Sequence, residues 1–264
     1  MWHRCVVGLL LCCGLSLVAQ AQPAPRMVII IDDVGNNYAL GRAAVELPGN
    51  VTFAVLPGLA YSKQLANMAH ERGREVMLHM PMANQARLPL GPMGLEAEMS
   101  GADLQLTLAQ ALSDVPHVRG INNHTGSLLT ENTSAMSDVM DYLHQRQLYF
   151  IDSLTTPNSV AYQMARQHGV PALRRHVFLD HEQTHDFIMG QFGQALAILE
   201  HHPEVIVIGH PYPETIEFLA WILPLLPEAG IDVVSPSQLL ALRRADIAAR
   251  GAQEVPDGQD GLER

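Results

Sequence analysis

The sequence predicts an α/β fold, a distorted (β/α) barrel of seven or eight parallel strands in a single domain. Short apolar runs without polar alternation recur along the chain, which is typical of buried parallel strands. Segments with helical periodicity separate these runs. The first strand is followed by two aspartates and one glycine instead of a GxGxxG-type phosphate loop, which favours a barrel over a dinucleotide-binding sheet.

Strands and helices are predicted in alternation. Strand signals lie at residues 28–31, 51–56, 76–78, 120–124, 149–151, 177–179, 205–209 and 232–234. Helical signals lie at residues 38–47, 62–72, 102–112, 134–145, 158–168, 184–201 and 215–226, and in a last helix that runs from Ser235-Pro236 through Leu242. Serine at position 100 is a predicted N-cap, and glycines at positions 73 and 169 are predicted helix stops. The long connection over residues 81–100 is either a lid or substrate rim, or an irregular packing loop.

Both ends of the chain are predicted to lie outside this domain. Residues 1–21 combine a basic start, an apolar stretch and the small-x-small sequence Ala19-Gln20-Ala21, which predicts a secretory signal peptide. We therefore expect secretion across the inner membrane, into the periplasm or the extracellular space. Residues 22–26 begin the mature chain, and the domain covers residues 27–242. The charged, glycine-rich residues 243–264 predict a disordered tail.

Composition narrows the classes of partner. The chain has 16 Lys and Arg residues against 27 Asp and Glu residues, a net charge of -11, which argues against nucleic acid and anionic membrane surfaces. We expect no nucleic-acid partner and no stable membrane insertion, and the sequence indicates no particular protein partner. The three cysteines lie within the predicted signal peptide, so the core must stabilise the mature protein without disulfides.

Ionisable side chains follow six of the apolar runs. They are Asp32 and Asp33, His79, His124, Asp152, Asp180 and His210. Because catalytic groups of parallel α/β folds gather at the carboxyl ends of strands, we expect one active site built from the whole chain. Two histidines and one carboxylate suit Zn²⁺ or Fe²⁺/Mn²⁺-type ions and leave coordination positions open. The plainer alternatives are a helix-capping aspartate, hydrogen-bonded packing histidines and a capping histidine in a proline-rich turn.

Five segments appear in an order that resembles a known family. They are IDD at 31–33, VTFAVLP at 51–57, GREVMLH at 73–79, GINNHTGS at 120–127 and GHPYPE at 209–214. The first three resemble the opening of the polysaccharide deacetylase fold (NodB homology, carbohydrate esterase family 4). With the last two, the chain more closely resembles the divergent polysaccharide deacetylase branch, the YibQ-like proteins. The resemblance covers residues 27–242 and implies a NodB-like barrel.

The resemblance also implies residue roles. Asp32 takes the position of the catalytic base, and Asp33 and His79 take those of metal ligands. His210 takes the position of the general acid, and Asp152 that of the acid that tunes it. From the residues alone, both Asp152 and Asp180 were candidates to hold His210.

Two departures from the family pattern alter the predicted site. Ala83 stands where the family has a second histidine, and Asn122-Asn123-His124 replaces an Arg-x-Pro segment. We infer that His124 supplies the missing ligand, and that the lost arginine alters how Asp32 is oriented. The residues predicted to bind substrate or support the site are Asn123, Ser127, Asp180 and Glu214.

The resemblance implies an exported metal-dependent hydrolase that removes N- or O-linked acetyl from a carbohydrate of the cell envelope or a polysaccharide. The implied cofactor is a divalent metal, Zn²⁺ first, and the implied partner is a carbohydrate or acetylated glycan. One alternative is a catalytically divergent, metal-containing glycan-binding or envelope-assembly protein. The other is a glycosidase with a carboxylate pair drawn from Asp32, Asp152, Asp180 and Glu214, which gives the two histidines no purpose.

Overall fold

The computed structural model describes residues 24–253, in which helices cover the outside of a curled parallel sheet. The strands are β1 (Arg26–Val34), β2 (Thr52–Val55), β3 (Val76–Met82), β4 (Val118–Thr125), β5 (Tyr149–Asp152), β6 (Ala172–Arg174), β7 (Val177–Phe178), β8 (Glu204–Gly209) and β9 (Asp232–Val233). The helices are α1 (Tyr38–Val45), α2 (Ser62–Glu71), α3 (Gly101–Asp114), α4 (Thr133–Gln145), α5 (Ala161–Gln167), α6 (His185–Leu199), α7 (Pro213–Ile222) and α8 (Pro236–Gln253). The sequence analysis missed β6.

The strands form one parallel sheet in the order β6-β5-β4-β3-β2-β1-β8-β7, with β9 beside the start of β1. The sheet is curled, and β6 and β7 are its two edges. Because these edge strands do not pair with each other, the sheet forms a half-barrel and not a full barrel. The chain between them still bridges the edges. The N–H of Arg175 donates to Asp152 O at 3.0 Å, and the N–H of His176 donates to Ile206 O at 2.9 Å. The predicted distorted parallel barrel in one domain is confirmed in this open form.

The strands contribute to two apolar layers, because successive side chains point to opposite faces. The outer layer packs against the helices and includes Ile31 and Phe150. The inner layer fills the half-barrel and includes Ile30 together with Leu239 and Leu240 of α8, which cover its amino-terminal end. Burial on both faces explains why the strands read as continuous apolar runs.

Helix α8 corrects the predicted tail, because it continues past Leu242 and residues 243–253 are helical. Two long-range ion pairs hold this extension against the sheet. Arg243 pairs with Glu204 of β8, and Arg26 Nη1 lies 3.1 Å from Asp246 Oδ2. The predicted signal peptide and residues 254–264 lie outside the described part of the chain. Between residues 24 and 253, no helix combines the length and apolar character that a membrane span requires.

The connection between β3 and α3 is anchored at its middle. Leu95 is fully buried, and its N–H donates to Pro81 O at 2.8 Å. In return, the N–H of Ala83 donates to Leu95 O at 2.9 Å. This part of the connection is therefore a packed loop. At the end of the loop, Ser100 caps α3 as predicted, and its Oγ accepts from the N–H of Asp103 at 3.2 Å.

Candidate active site

Most of the predicted site residues converge at the carboxyl end of the half-barrel, on the inner side of the sheet. Strand alternation places Asp32, His79 and His210 there, because each of these three follows an inner-layer residue by two positions. Asp32 follows Ile30 in this way, and His210 follows Ile208. The inner layer of apolar side chains thus ends in a polar layer that faces the open end of the fold.

Asp33 reaches the same side as Asp32 through an unusual backbone conformation. Consecutive strand residues face opposite sides, but Asp33 has a φ of 57° and lies in the left-handed region. The register between β1 and β2 also shifts between Ile31 and Val34. This conformation costs on the order of 1 kcal/mol in a non-glycine residue and is typical of functional sites. Both carboxylates therefore lie beside His79, whose Nε2 is 3.6 Å from Asp32 Oδ2 and 3.1 Å from Asp33 Oδ1.

Asp33, His79 and His124 form a tight triangle of donor atoms. Asp33 Oδ1 lies 3.1 Å from His79 Nε2 and 2.8 Å from His124 Nδ1, and the two nitrogens are 3.1 Å apart. Tetrahedral Zn²⁺ bonds of about 2.0–2.1 Å would separate donors by about 3.3 Å, close to these distances. Asp33 Oδ1 is buried and makes no hydrogen bond of acceptable geometry, despite its two imidazole neighbours. An orphaned carboxylate oxygen beside two imidazole nitrogens fits a divalent cation.

Asn122 fixes the tautomer of His79. Its Oδ1 lies 2.7 Å from His79 Nδ1, and its Nδ2 donates to Asp32 Oδ1 at 2.8 Å. Because the amide oxygen can only accept, Nδ1 of His79 carries the proton and Nε2 keeps its lone pair for a metal. The sequence analysis gave Asn122 no role. Its position two residues before His124 on β4 is the signal that places it on the same face.

His210 is held by Asp180. Its Nδ1 donates to Asp180 Oδ1 at 2.9 Å, and its backbone N–H donates to Asp180 Oδ2 at 2.5 Å. Thr215 Oγ1 also donates to Asp180 Oδ2, at 2.8 Å. This arrangement turns His210 Nε2 toward the donor triangle, 3.9 Å from Asp33 Oδ2. A histidine held in this way has the orientation that a general acid needs.

The prediction that Asp152 tunes His210 is wrong. Asp152 Oδ1 accepts from the N–H of Leu154 at 2.9 Å, and its Oδ2 accepts from Ser159 Oγ at 2.9 Å. Asp152 follows Phe150 by two positions, and Phe150 belongs to the outer layer. Strand alternation therefore directs Asp152 away from the interior, where His210 lies.

The surroundings of Asp32 and His210 raise the pKa values of both groups. Burial raises the pKa of Asp32, and this effect exceeds the opposing influence of His79, His210 and Asn122. Burial lowers the pKa of His210, but the hydrogen bond and charge of Asp180 act more strongly and raise it to about 9. A carboxylate that takes up a proton more readily than usual, beside an imidazole that stays protonated, is a pattern of acid–base sites.

The pKa values of two metal-ligand candidates, Asp33 and His79, shift in opposite directions. Burial raises the pKa of Asp33, but the imidazoles of His124 and His79 outweigh burial and lower it. Burial lowers the pKa of His79, but the charge of Asp32 and the hydrogen bond and charge of Asp33 raise it overall. The protein thus holds Asp33 ionised beside two imidazoles, as a metal ligand requires.

The predicted supporting residues make the following contacts. Asn123 Oδ1 accepts from the N–H of Ser153 at 2.9 Å, which joins the ends of β4 and β5. Ser127 Oγ accepts from the N–H of Gln85 at 3.1 Å, and Glu214 lies in the first turn of α7. Asp180 supports the site through His210. For Asn123, Ser127 and Glu214, contact with substrate stays a prediction.

Arg175 is a further charged residue that the sequence analysis missed. Its Nε donates to Ser153 O at 2.6 Å, and its guanidinium lies 5.0 Å from the centre of the Phe178 ring. Burial lowers the pKa of Arg175, while the carboxylates of Asp152 and Asp32 act in the opposite direction. Arg175 is therefore a positive charge within electrostatic range of Asp152 and Asp32. No periodicity or motif in the sequence marks this role.

The open parallel half-barrel defines a protein with the NodB-like fold of carbohydrate esterase family 4 deacetylases. One solved structure with this fold is described as the T48 deacetylase with substrate. Its TM-score is 0.51 at 12% identity, with 83% of this chain and 92% of that chain covered. Another is the structure of a BA3943 mutant. The latter is described as a CE4 family pseudoenzyme with restored enzymatic activity (TM-score 0.52, 17% identity, 82% of this chain and 68% of that chain).

Within that class, the chain belongs to the divergent polysaccharide deacetylase family, whose model matches residues 29–240. It is 35% identical over 244 residues to the uncharacterized protein YibQ of Escherichia coli K12. The alignment covers 92% of this chain and 76% of that protein. A similar structure is the uncharacterized protein ATU2773 of Agrobacterium tumefaciens C58. Its TM-score is 0.79 at 22% identity, with 83% of this chain and 90% of that chain covered.

Proposed function

We propose that this chain is a metal-dependent hydrolase that removes N- or O-linked acetyl groups from a carbohydrate of the cell envelope or a polysaccharide. The observation that carries the proposal is the convergence of three metal-donor atoms with a carboxylate and an oriented imidazole. The donor atoms belong to Asp33, His79 and His124. Asp32 lies beside them, and His210 lies opposite.

The three donor residues would hold a divalent cation, and Zn²⁺ is the ion that we propose. When bound, such an ion polarises an acyl carbonyl and stabilises the negative charge that develops on its oxygen. The orphaned Oδ1 of Asp33 and the lone pair that Asn122 preserves on His79 Nε2 support this choice of ligands.

The protein's own groups divide the proton transfers between them. Asn122 occupies Oδ1 of Asp32, so Oδ2 is left to take a proton from a water that attacks the acyl carbon. Asp180 occupies Nδ1 of His210, so Nε2 is left to donate a proton to the leaving nitrogen or oxygen. The water oxygen joins the acyl carbon, the C–N or C–O bond breaks, and acetate and a free amine or hydroxyl result. Each such proton transfer contributes about 10²–10⁴-fold to the rate.

The second candidate is a metal-containing glycan-binding or envelope-assembly protein. Two departures from the family pattern favour it, namely Ala83 at a ligand position and the absent arginine of the fourth strand. The fold serves proteins with and without turnover, since BA3943 is described as a pseudoenzyme. Activity must therefore be measured directly.

Acetate release separates the two candidates. Zinc-supplemented protein is incubated with N-acetylated and O-acetylated glycans, and acetate and glycan length are both followed. An enzyme releases acetate without shortening the glycan, and Asp32→Asn loses at least about 10²-fold of that rate while metal and glycan binding persist. Asp186→Asn, an exposed acid of α6, is the matched control and should keep the rate. A folded, metal-loaded protein that binds glycan without acetate release would favour the binding function, and a shortened glycan would indicate a glycosidase.

The proposal also places this activity outside the cytoplasm. Its support is the sequence pattern of residues 1–21, with a small-x-small site that ends at Ala21. We expect protein isolated from the cell envelope or medium to begin at Gln22. An intact N-terminus on protein retained in the cytoplasm would contradict export.

A further inference from the structure

An apolar cavity opens directly beside the proposed catalytic groups. It has a volume of about 360 Å³, and His210 and Asp33 form part of its wall. The rest of the wall comes mainly from the loops that follow β1, β2 and β8. Its apolar side chains, which define what we call the acyl pocket, are Val34, Leu40, Leu56, Leu59, Pro211 and Tyr212.

The fold holds this wall in place. Gly35 has a φ of 134°, and a Cβ at that position would lie 2.7 Å from Ser62 Oγ, so glycine lets the loop after β1 approach the start of α2. Ser62 Oγ donates to Leu56 O at 2.5 Å and accepts from the N–H of Leu59 at 3.3 Å. The same serine thus fixes the two leucines of the β2–α2 loop, and the pocket does not depend on an unanchored loop.

The pocket is continuous with the reacting centre through His210. The centre of the imidazole ring lies 5.4 Å from that of the Tyr212 ring and 5.2 Å from that of the Phe178 ring. Tyr212 belongs to the pocket, while His210 Nε2 faces the donor triangle. A group in the pocket is therefore next to the bond that the proposed mechanism breaks.

The lining selects a hydrocarbon group over a sugar ring. A buried sugar would need hydrogen-bond partners for its hydroxyls, and burying them without partners is costly. Of the two asparagines at the pocket edge, Asn37 already accepts from the N–H of Leu40 with its side chain. An apolar cavity of about 150 Å³ holds a benzene ring, so a pocket of about 360 Å³ is far larger than an acetyl methyl needs.

We propose that the acyl pocket binds the hydrocarbon chain of an acyl group longer than acetyl, so that the substrate class is a carbohydrate with an N- or O-linked acyl chain of several carbons. This inference rests on the proposed hydrolase function and extends its substrate range. Water supplies the oxygen that joins the acyl carbon, and the products are a carboxylic acid and a free amine or hydroxyl.

The test compares p-nitrophenyl acetate, butyrate and hexanoate as substrates of the zinc-supplemented protein. Burial of each methylene is expected to raise kcat/KM by about three- to four-fold, so hexanoate, which has four more methylenes, should exceed acetate by about 10²-fold. Leu40→Trp fills the pocket and should bring the hexanoate-to-acetate ratio close to one. Leu106→Trp changes a leucine of α3 that is 59% exposed and should keep the wild-type ratio. Leu59→Trp, at another partly exposed position, replaces Leu40→Trp if that variant does not fold.

A binding measurement separates failure of this inference from failure of the proposed function. Calorimetry compares N-hexanoylglucosamine with N-acetylglucosamine in the wild type and Leu40→Trp. If no ester is hydrolysed but the wild type prefers the hexanoyl sugar and the variant does not, the pocket assignment holds and the hydrolase function fails. If acetate is hydrolysed at least as well as hexanoate, the pocket assignment is overturned and the hydrolase function stands. Absence of both hydrolysis and chain-length preference overturns the pocket assignment as well.

Discussion

Asn122 donates a hydrogen bond from its Nδ2 to Asp32 Oδ1 at 2.8 Å, while its Oδ1 lies 2.7 Å from His79 Nδ1. One amide therefore orients the proposed base and fixes the tautomer of a proposed metal ligand. The loss of the family arginine at this strand removes one partner of the base, but the replacement segment supplies another. This coupling makes Asn122 a positioning residue for two different functions of the site.

Replacement of Asn122 by alanine is expected to weaken zinc binding by about 10–100-fold, because His79 loses the partner that keeps its Nε2 unprotonated. Competition with a chromophoric chelator measures the affinity. Asn67→Ala is the matched control, since Asn67 Oδ1 lies 2.9 Å from His117 Nε2 at an exposed site. Asn122→Leu, a variant of similar size that cannot accept from His79, guards against a packing defect. Unchanged zinc affinity in both Asn122 variants would show that the amide does not position His79.

Replacement by asparagine is expected to affect turnover at Asp180 and stability at Asp152. Asp180→Asn removes the charge that raises the pKa of His210, so turnover should fall by at least about 10²-fold and the upper pH limit of kcat should move down. Asp152→Asn should leave that limit in place and lower stability by about 1–2 kcal/mol, through weaker bonds to Leu154 and Ser159. Paired pH–rate profiles and urea unfolding measure both effects. A shifted pH limit in Asp152→Asn would restore the role that the sequence analysis gave it.

The sequence was sufficient for most of the site because parallel strands carry their functional groups at their carboxyl ends. Asp32, His79 and His210 each follow an inner-layer residue by two positions, and their order along the chain matched a known family. The parallel β/α architecture was also predictable from the alternation of strands and helices. Closure was not, because it depends on whether two short edge strands meet in space.

The misassignment of Asp152 has a specific physical reason. Its neighbour two positions earlier, Phe150, belongs to the outer apolar layer. In a parallel sheet covered on both faces, both layers are apolar, so the sequence does not reveal which face a residue occupies. The roles of Arg175 and of the α8 extension escaped prediction for a related reason. They depend on contacts such as Arg243 with Glu204, between residues far apart in the chain.

The pKa of His210 predicts a pH-dependent contribution to stability in metal-free protein. Since folding raises this pKa from 6.5 to about 9, the stabilisation is fully present below about pH 6.5 and disappears as the pH rises through 9. The difference in free energy of unfolding between wild type and His210→Gln should shrink by up to about 3 kcal/mol between pH 6 and pH 10. Urea unfolding in the presence of a chelator measures it. His117→Gln, at an exposed position, is the control, and a difference that stays constant for His210→Gln would contradict the prediction.

Metal content tests the rearranged ligand set most directly. Asp33 Oδ1, His79 Nε2 and His124 Nδ1 provide three donors, so we expect about one zinc ion per wild-type chain by elemental analysis of untagged protein. His124→Ala leaves two donors and should lose the ion, whereas His185→Ala, an exposed imidazole 3.4 Å from Glu217, should retain it. Loss in His124→Ala alone would establish that a histidine of the fourth strand has replaced the family ligand that Ala83 cannot provide. A folded, zinc-supplemented wild type without bound ion would refute the metal-dependent mechanism, because Asp32 and His210 would then lack the electrophile on which their proton transfers depend.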